Sequence, residues 1–130
     1  LYYHRAEGLY DAIQPLRCAD RPGYRSPYSA EVMGATTDDY TTLSAMNYTL
    51  FAFSLLTQMS GKQVYRDEID SILDFIRIYL FVPEDGRVYH HWMDGRLAGP
   101  EDPEYYCIGC NLQLLYVIWW IRHYLGADVK

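Results

Sequence analysis

The stretch TTLSAMNYTLFAFSLLTQMSG, residues 41–61, decides how the rest of the chain is read. No charged residue occurs between Thr41 and Ser60. Thr41 or Thr42 supplies an N-cap hydroxyl, and Gly61 supplies the stop. Leu43, Met46, Leu50, Phe51, Phe53, Leu55, Leu56 and Met59 spread around most of a helical circumference. The polar members (Ser44, Asn47, Thr49, Ser54, Gln58) are uncharged. Such a helix is expected to be enclosed by protein.

Downstream, QVYRDEIDSILDFIRIYLFVPEDG places apolar residues at 65, 69, 72, 73, 76 and 80, with charges at 66, 67, 68, 70, 74 and 77. That rhythm predicts an amphipathic helix, ended by Pro83 and Gly86. Only Ser60-Gly61-Lys62 separates the two helices, so residues 41–82 form an antiparallel helical hairpin. A third helix runs over 106–126; it carries no charge between 107 and 121 and is expected to be enclosed as well. Before it, RVYHHWMDGRLAG reads as a β-hairpin at about 87–98, turning at Asp94-Gly95. Alternation puts Val88, His90 and Trp92 on one face and Tyr89, His91 and Met93 on the other. Residues 3–14 read as a short entry helix, followed by a long loop to residue 40. The fold class is mainly all-α, within one helical domain over 1–130.

Net charge is −6 over 130 residues, with no Lys/Arg cluster, which argues against nucleic acid as a partner. From Tyr105 to Ile121 there are 17 residues, interrupted by Gly109, Asn111 and Gln113. About 20 apolar residues are needed to cross a bilayer, so a buried helix is favoured over a membrane span. No leader pattern is visible at the start, which a trimmed product or a piece of a longer chain would equally show. The localisation stays open. Fourteen tyrosines suit sugar stacking, a sticky interface, or a core with polar rims.

Enclosed, amphipathic and enclosed helices alternate over 41–126, with short links at one end and long decorated loops at the other. That pattern resembles the α/α-toroid proteins, whose inner helices form a ring wrapped by outer ones. Glycan-active six-hairpin enzymes, polysaccharide lyases and several zinc-dependent prenyl- or thioether-forming enzymes share that arrangement. The resemblance rests on architecture, with no catalytic motif to carry over. A ring needs five to seven hairpins by that resemblance, and this sequence supplies about one and a half. Further helical hairpins are therefore expected from the same chain or a partner subunit; a compact α-bundle is the remaining option.

In this layout the N-termini of the enclosed helices and both long loops meet at one pole, suited to an anionic or polar ligand. Candidate catalytic residues there are Asp39, Tyr40, His91 and Asp94. Candidate substrate-binding residues are Arg25, Tyr28, Trp92 and Asn111. One histidine beside Asp38, Asp39 or Asp94 serves as a general base. Asp38 and Asp39 with Glu101, Asp102 and Glu104 raise a carboxylate pair for glycoside hydrolysis; Tyr40, His91 and Arg25 instead suit a lyase. The bland readings are helix caps, solvated loop acids and a surface hairpin.

Cys107 and Cys110 open the third helix as CxxC, and with His90 or His91 they could furnish three zinc ligands, Glu104 or water completing the set. A thiol–disulfide pair is a second reading. Two small buried side chains at a helix start is the favoured one, so no cofactor is expected unless it is zinc. The function expected is a hydrolase or lyase fragment acting on a glycan or other polar small molecule. The alternative is a non-catalytic helical module whose tyrosine-rich surface forms an oligomer or docks on partners.

Overall fold

The computed structural model describes residues 2–26, 39–102 and 105–126. Among these the chain is mainly helical with a small antiparallel sheet. Helix α1 spans Tyr2–Ile13 and ends in a 3-10 turn, Gln14–Leu16, with Pro15 in its first turn. Strand β1, Tyr40–Thr42, leads directly into α2, Leu43–Ser60. The Thr42 hydroxyl accepts from the Ala45 N–H, so the N-cap is the second of the two candidate threonines. Gly61 takes φ +67°, and its N–H bonds to the Thr57 carbonyl. Left-handed backbone of this kind ends helices because glycine carries no Cβ to clash.

Helix α3, Gln63–Phe75, continues into a π-helical turn, Ile76–Leu80. Pro83 and Gly86 sit beyond that turn, in the reversal joining β2 (Phe81–Val82) to β3 (Arg87–Val88). These strands pair Phe81 with Val88 and Val82 with Arg87. Strands β4, His91–Met93, and β5, Arg96–Leu97, flank Asp94-Gly95. Helix α4, Ile108–Trp120, is capped at Cys107 and also runs into a π turn, Ile121–Leu125, before Gly126 at φ +63°.

The expected hairpin over 87–98 is thus corrected to 91–97. Arg87 and Val88 turn back to β2 instead, because the Pro83–Gly86 reversal offers them a nearer partner. The sheet also has a strand where the sequence reads as loop: β1 pairs with β4, matching Tyr40 to Met93, Thr41 to Trp92 and Thr42 to His91. Strand order is β1-β4-β5.

Between the helices lies one apolar core. Leu43, Leu50, Ile72, Phe75, Leu80 and Ile121 have no exposure, and each such side chain contributes about 1.5–3 kcal/mol by leaving water. Asn47, also fully buried, donates to the Cys110 carbonyl at 2.8 Å and so ties α2 to α4. Ser54 satisfies itself on the Leu50 carbonyl at 2.7 Å. Asn47 and Ser54 thus each find a partner within the helix pair.

Three expectations about burial are corrected. Glu68, assigned to the wet face of α3, is buried and paired with Arg17, with Tyr10 beside it. On α2, Tyr48 and Met59 are largely exposed. On α4, Ile108, Leu112, Leu115, Tyr116 and Trp119 are all more than half exposed. Lack of charge permits burial of a face but does not by itself supply a neighbour to bury it. No helix among the described residues is long and apolar enough to cross a membrane.

Candidate functional site

The N-terminus of α2, the β4–β5 turn and the approach to α4 meet at one pole, held together through the backbone of two histidines. The Leu43 N–H donates to the His90 carbonyl at 2.7 Å, and the His90 N–H donates to the Tyr105 carbonyl at 2.8 Å. The Ala98 N–H donates to the His91 carbonyl at 3.0 Å. Asp39 fixes the turn: its carbonyl accepts from the Asp94 N–H and its Oδ2 from the Gly95 N–H, both at 2.9 Å. Asp94 takes φ +50° and Gly95 φ +80°, the left-handed pair that a two-residue hairpin turn requires.

His90 and His91 are both buried, His91 completely. Alternation would have sent them to opposite faces, but His90 precedes the strand and escapes its pleat. The two Nδ1 atoms lie 3.3 Å apart, so one ring donates and the other accepts. The Tyr40 ring, 1% exposed, stands 5.5 Å from the His91 ring. A surface location for the histidines is thereby corrected: β1 covers His91 from one side.

Two arginines that the sequence did not single out hold the acids of this pole. Arg21, its side chain 6% exposed, pairs with Asp39 and reaches toward Asp20 at 3.4 Å and the Thr41 hydroxyl at 3.5 Å. Arg96 grips Asp102 with both ends of its fork, at 2.6 and 2.8 Å, while the Gly99 N–H adds a third bond at 2.8 Å. The Arg96 guanidinium, then the Gly99 amide, hold the Asp102 carboxyl at a pKa of about 2, and burial opposes them. Asp102 is thus a clamped, buried acid and not a solvated one. Its signal was present in sequence as RLAGPED, an arginine six residues before an aspartate, but that spacing alone is common.

The remaining candidates are placed as follows. Asn111 is occupied on β3: its Nδ2 donates to the Val88 carbonyl at 2.8 Å and its Oδ1 accepts from the Val88 N–H at 3.3 Å. Trp92 packs edge-on against Tyr79 at 5.0 Å. Arg25 turns toward the end of α1, with its N–H on the Leu16 carbonyl at 2.8 Å and its Nη2 on the Pro15 carbonyl at 3.4 Å. Tyr28, Asp38 and Glu104 lie outside the described residues. Cys107 is the N-cap of α4, its Sγ accepting from the Cys110 N–H at 3.1 Å. Among the described residues no group of three His, Cys, Asp or Glu could hold a metal ion, so Cys107, Cys110 and His90 are not gathered as a zinc set.

Two clefts open elsewhere. One, of about 490 Å3, runs between α1 and α2, lined by Leu9, Tyr10, Tyr48, Leu55 and Met59 among others. A smaller one lies between α3 and the π turn of α4, lined by Gln63, Arg66, Asp70 and Leu125. The first is apolar and lacks groups for chemistry. The second has charges but none of the buried imidazoles.

The fold is similar to the solved structure of a cellobiose 2-epimerase from Bacillus thermoamylovorans B4167, with a TM-score of 0.59 at 8% identity. The match covers 98% of this chain and 52% of that one, so this chain spans about half the length of that protein. At such identity the likeness concerns the fold alone. No family model matches the sequence, and no curated protein matches it.

Proposed function

We propose that this chain is part of a carbohydrate-active enzyme of the α/α-toroid kind, and that its reacting group is an imidazole of the His90–His91 pair. The observation that carries the reading is two buried imidazoles in ring-nitrogen contact beside Tyr40, at the entrance of α2. A neutral imidazole accepts a proton from a carbon acid, and a neighbouring donor stabilises the charge that develops. On a sugar this is lyase chemistry when a leaving group departs, and epimerase chemistry when the proton returns to the other face. The fold's likeness to an enzyme named for epimerising cellobiose supports a sugar substrate for this chain too.

Glycosidic hydrolysis by a carboxylate pair draws less support. It needs one acid with a raised pKa, whereas Arg96 lowers that of Asp102 and Arg21 engages Asp39. In this reading His91 is the base and Tyr40 the neighbouring hydroxyl. Asp39 and Asp94 set the turn over them. Further helical hairpins complete the ring.

The test works across a range of sugars at once. The protein is incubated in deuterium oxide with a panel of reducing disaccharides and uronate-containing glycans. Proton NMR then reads loss of a sugar C–H signal or gain of a vinyl one. Exchange is expected with at least one member, and His91→Gln should slow it by about 100-fold or more. Cleavage with no carbon-bound exchange, surviving His91→Gln, sinks the imidazole reading.

A further inference from the structure

We infer that the exposed apolar face of α2 and α4 is an interface, and that its occupant is a second copy of this chain, packed face to face about a two-fold axis. This goes beyond the histidine pole and does not depend on it.

The face is continuous. Tyr48, Ala52, Leu55 and Met59 recur along α2 at intervals of four, three and four residues. Ile108, Leu112, Leu115 and Trp119 recur along α4 at the same intervals. Each row is one stripe of a helix, and the two helices meet beside these rows, where Phe51 packs edge-on against Trp120 at 5.5 Å. Tyr116 and Trp119 stack on each other at 6.0 Å and extend the face.

Its size fits a stable pair. Tyr48, Met59, Ile108, Leu112, Leu115, Tyr116 and Trp119 are each 52–67% exposed. At on the order of 100 Å2 apiece they offer roughly 700 Å2, above what a monomer ordinarily leaves bare and close to the ~800 Å2 each partner gives a standard interface. The chemistry also selects the occupant. Residues 41–60 and 107–121 carry no charge, so a partner chosen by opposite charge has nothing to recognise here. An uncharged apolar surface is complementary to itself, which is what an isologous two-fold contact requires.

The test is sedimentation equilibrium on the purified chain, with Leu115→Glu on α4 and Tyr48→Lys on α2 as separate variants. Both residues already face solvent, so helical content by circular dichroism should not change. The wild type should sediment at twice the 15.2 kDa of one chain at micromolar concentration. Each substitution acts twice in the symmetric pair and should weaken it by about 100-fold or more. A monomer under those conditions overturns the inference, as does a dimer indifferent to both substitutions. So does finding that a longer polypeptide containing this chain is monomeric, since its own helices then cover the face.

Discussion

The Nδ1 atoms of His90 and His91 stand 3.3 Å apart in a buried setting. Only one proton fits between two facing ring nitrogens, so the rings must hold complementary tautomers. Long-range nitrogen-15 correlation spectra at neutral pH should show one Nδ1 protonated and the other bare. Replacing the fully buried ring, His91→Ala, removes that bond and leaves a cavity, at a cost of about 2–4 kcal/mol in urea denaturation.

Arg96 and Asp102 give the pole an acid limit. The Asp102 carboxyl is held at about 2, chiefly by the Arg96 guanidinium; in an unfolded chain it ionises near its ordinary value of about 3.9. A lowered acid stabilises the fold fully above the unfolded value, and that contribution is lost as pH falls from about 4 toward 2. Asp102→Asn should therefore flatten the stability-versus-pH curve in that window. At neutral pH its cost is on the order of 1 kcal/mol, because the Arg96 partner is half exposed and solvent screens it. Chemical denaturation at a series of pH values reads both effects.

Asn111 should behave as a pin between α4 and β3. Its amide mimics a strand by bonding both backbone groups of Val88. Asn111→Ala leaves those groups without this partner and should cost about 1–3 kcal/mol. Hydrogen exchange at the Val88 amide should quicken selectively. Exchange unchanged there, with normal stability, would falsify the assignment.

Gly23 is a backbone requirement. Its φ is +89°, and a Cβ would stand 3.1 Å from the Phe75 Cγ. Gly23→Ala meets strain and crowding together and should cost more than about 1 kcal/mol. Thermal melting measures it, and Gly8→Ala, inside α1 with open space around it, should shift the melt the other way by about 0.4–1 kcal/mol.

Much of the helical frame was legible because its signals are local. Thr42 and Gly61 bound α2 by capping chemistry, and Asp94-Gly95 announced a tight turn. That the turn meets Asp39 also followed from topology, because a short link at one helix end forces the long connections to the other. What escaped the sequence was pairing at a distance. Nothing local to Tyr40–Thr42 says strand; the partner, His91–Met93, supplies that. Glu68 read as solvated because its helical face was judged without Arg17, which lies 51 residues away. The wet side of α4 escaped for the converse reason. The repeated IRIYL (76–80) and IRHYL (121–125), both folding as π turns, were visible in sequence, but a pentapeptide carries no conformation of its own.

Thr42 closes β1 and caps α2 in the same residue, leaving no slack between sheet and helix. The Asp94 tip, whose Asp94 and Gly95 amides both bond to Asp39 just before β1, is thereby tied to the start of α2. Any thrust on it is relayed along the axis of α2, about 27 Å at 1.5 Å per residue, as a push-rod relays motion. A molecule pressing on the tip would thus be felt at Gly61, at the far end of the rod.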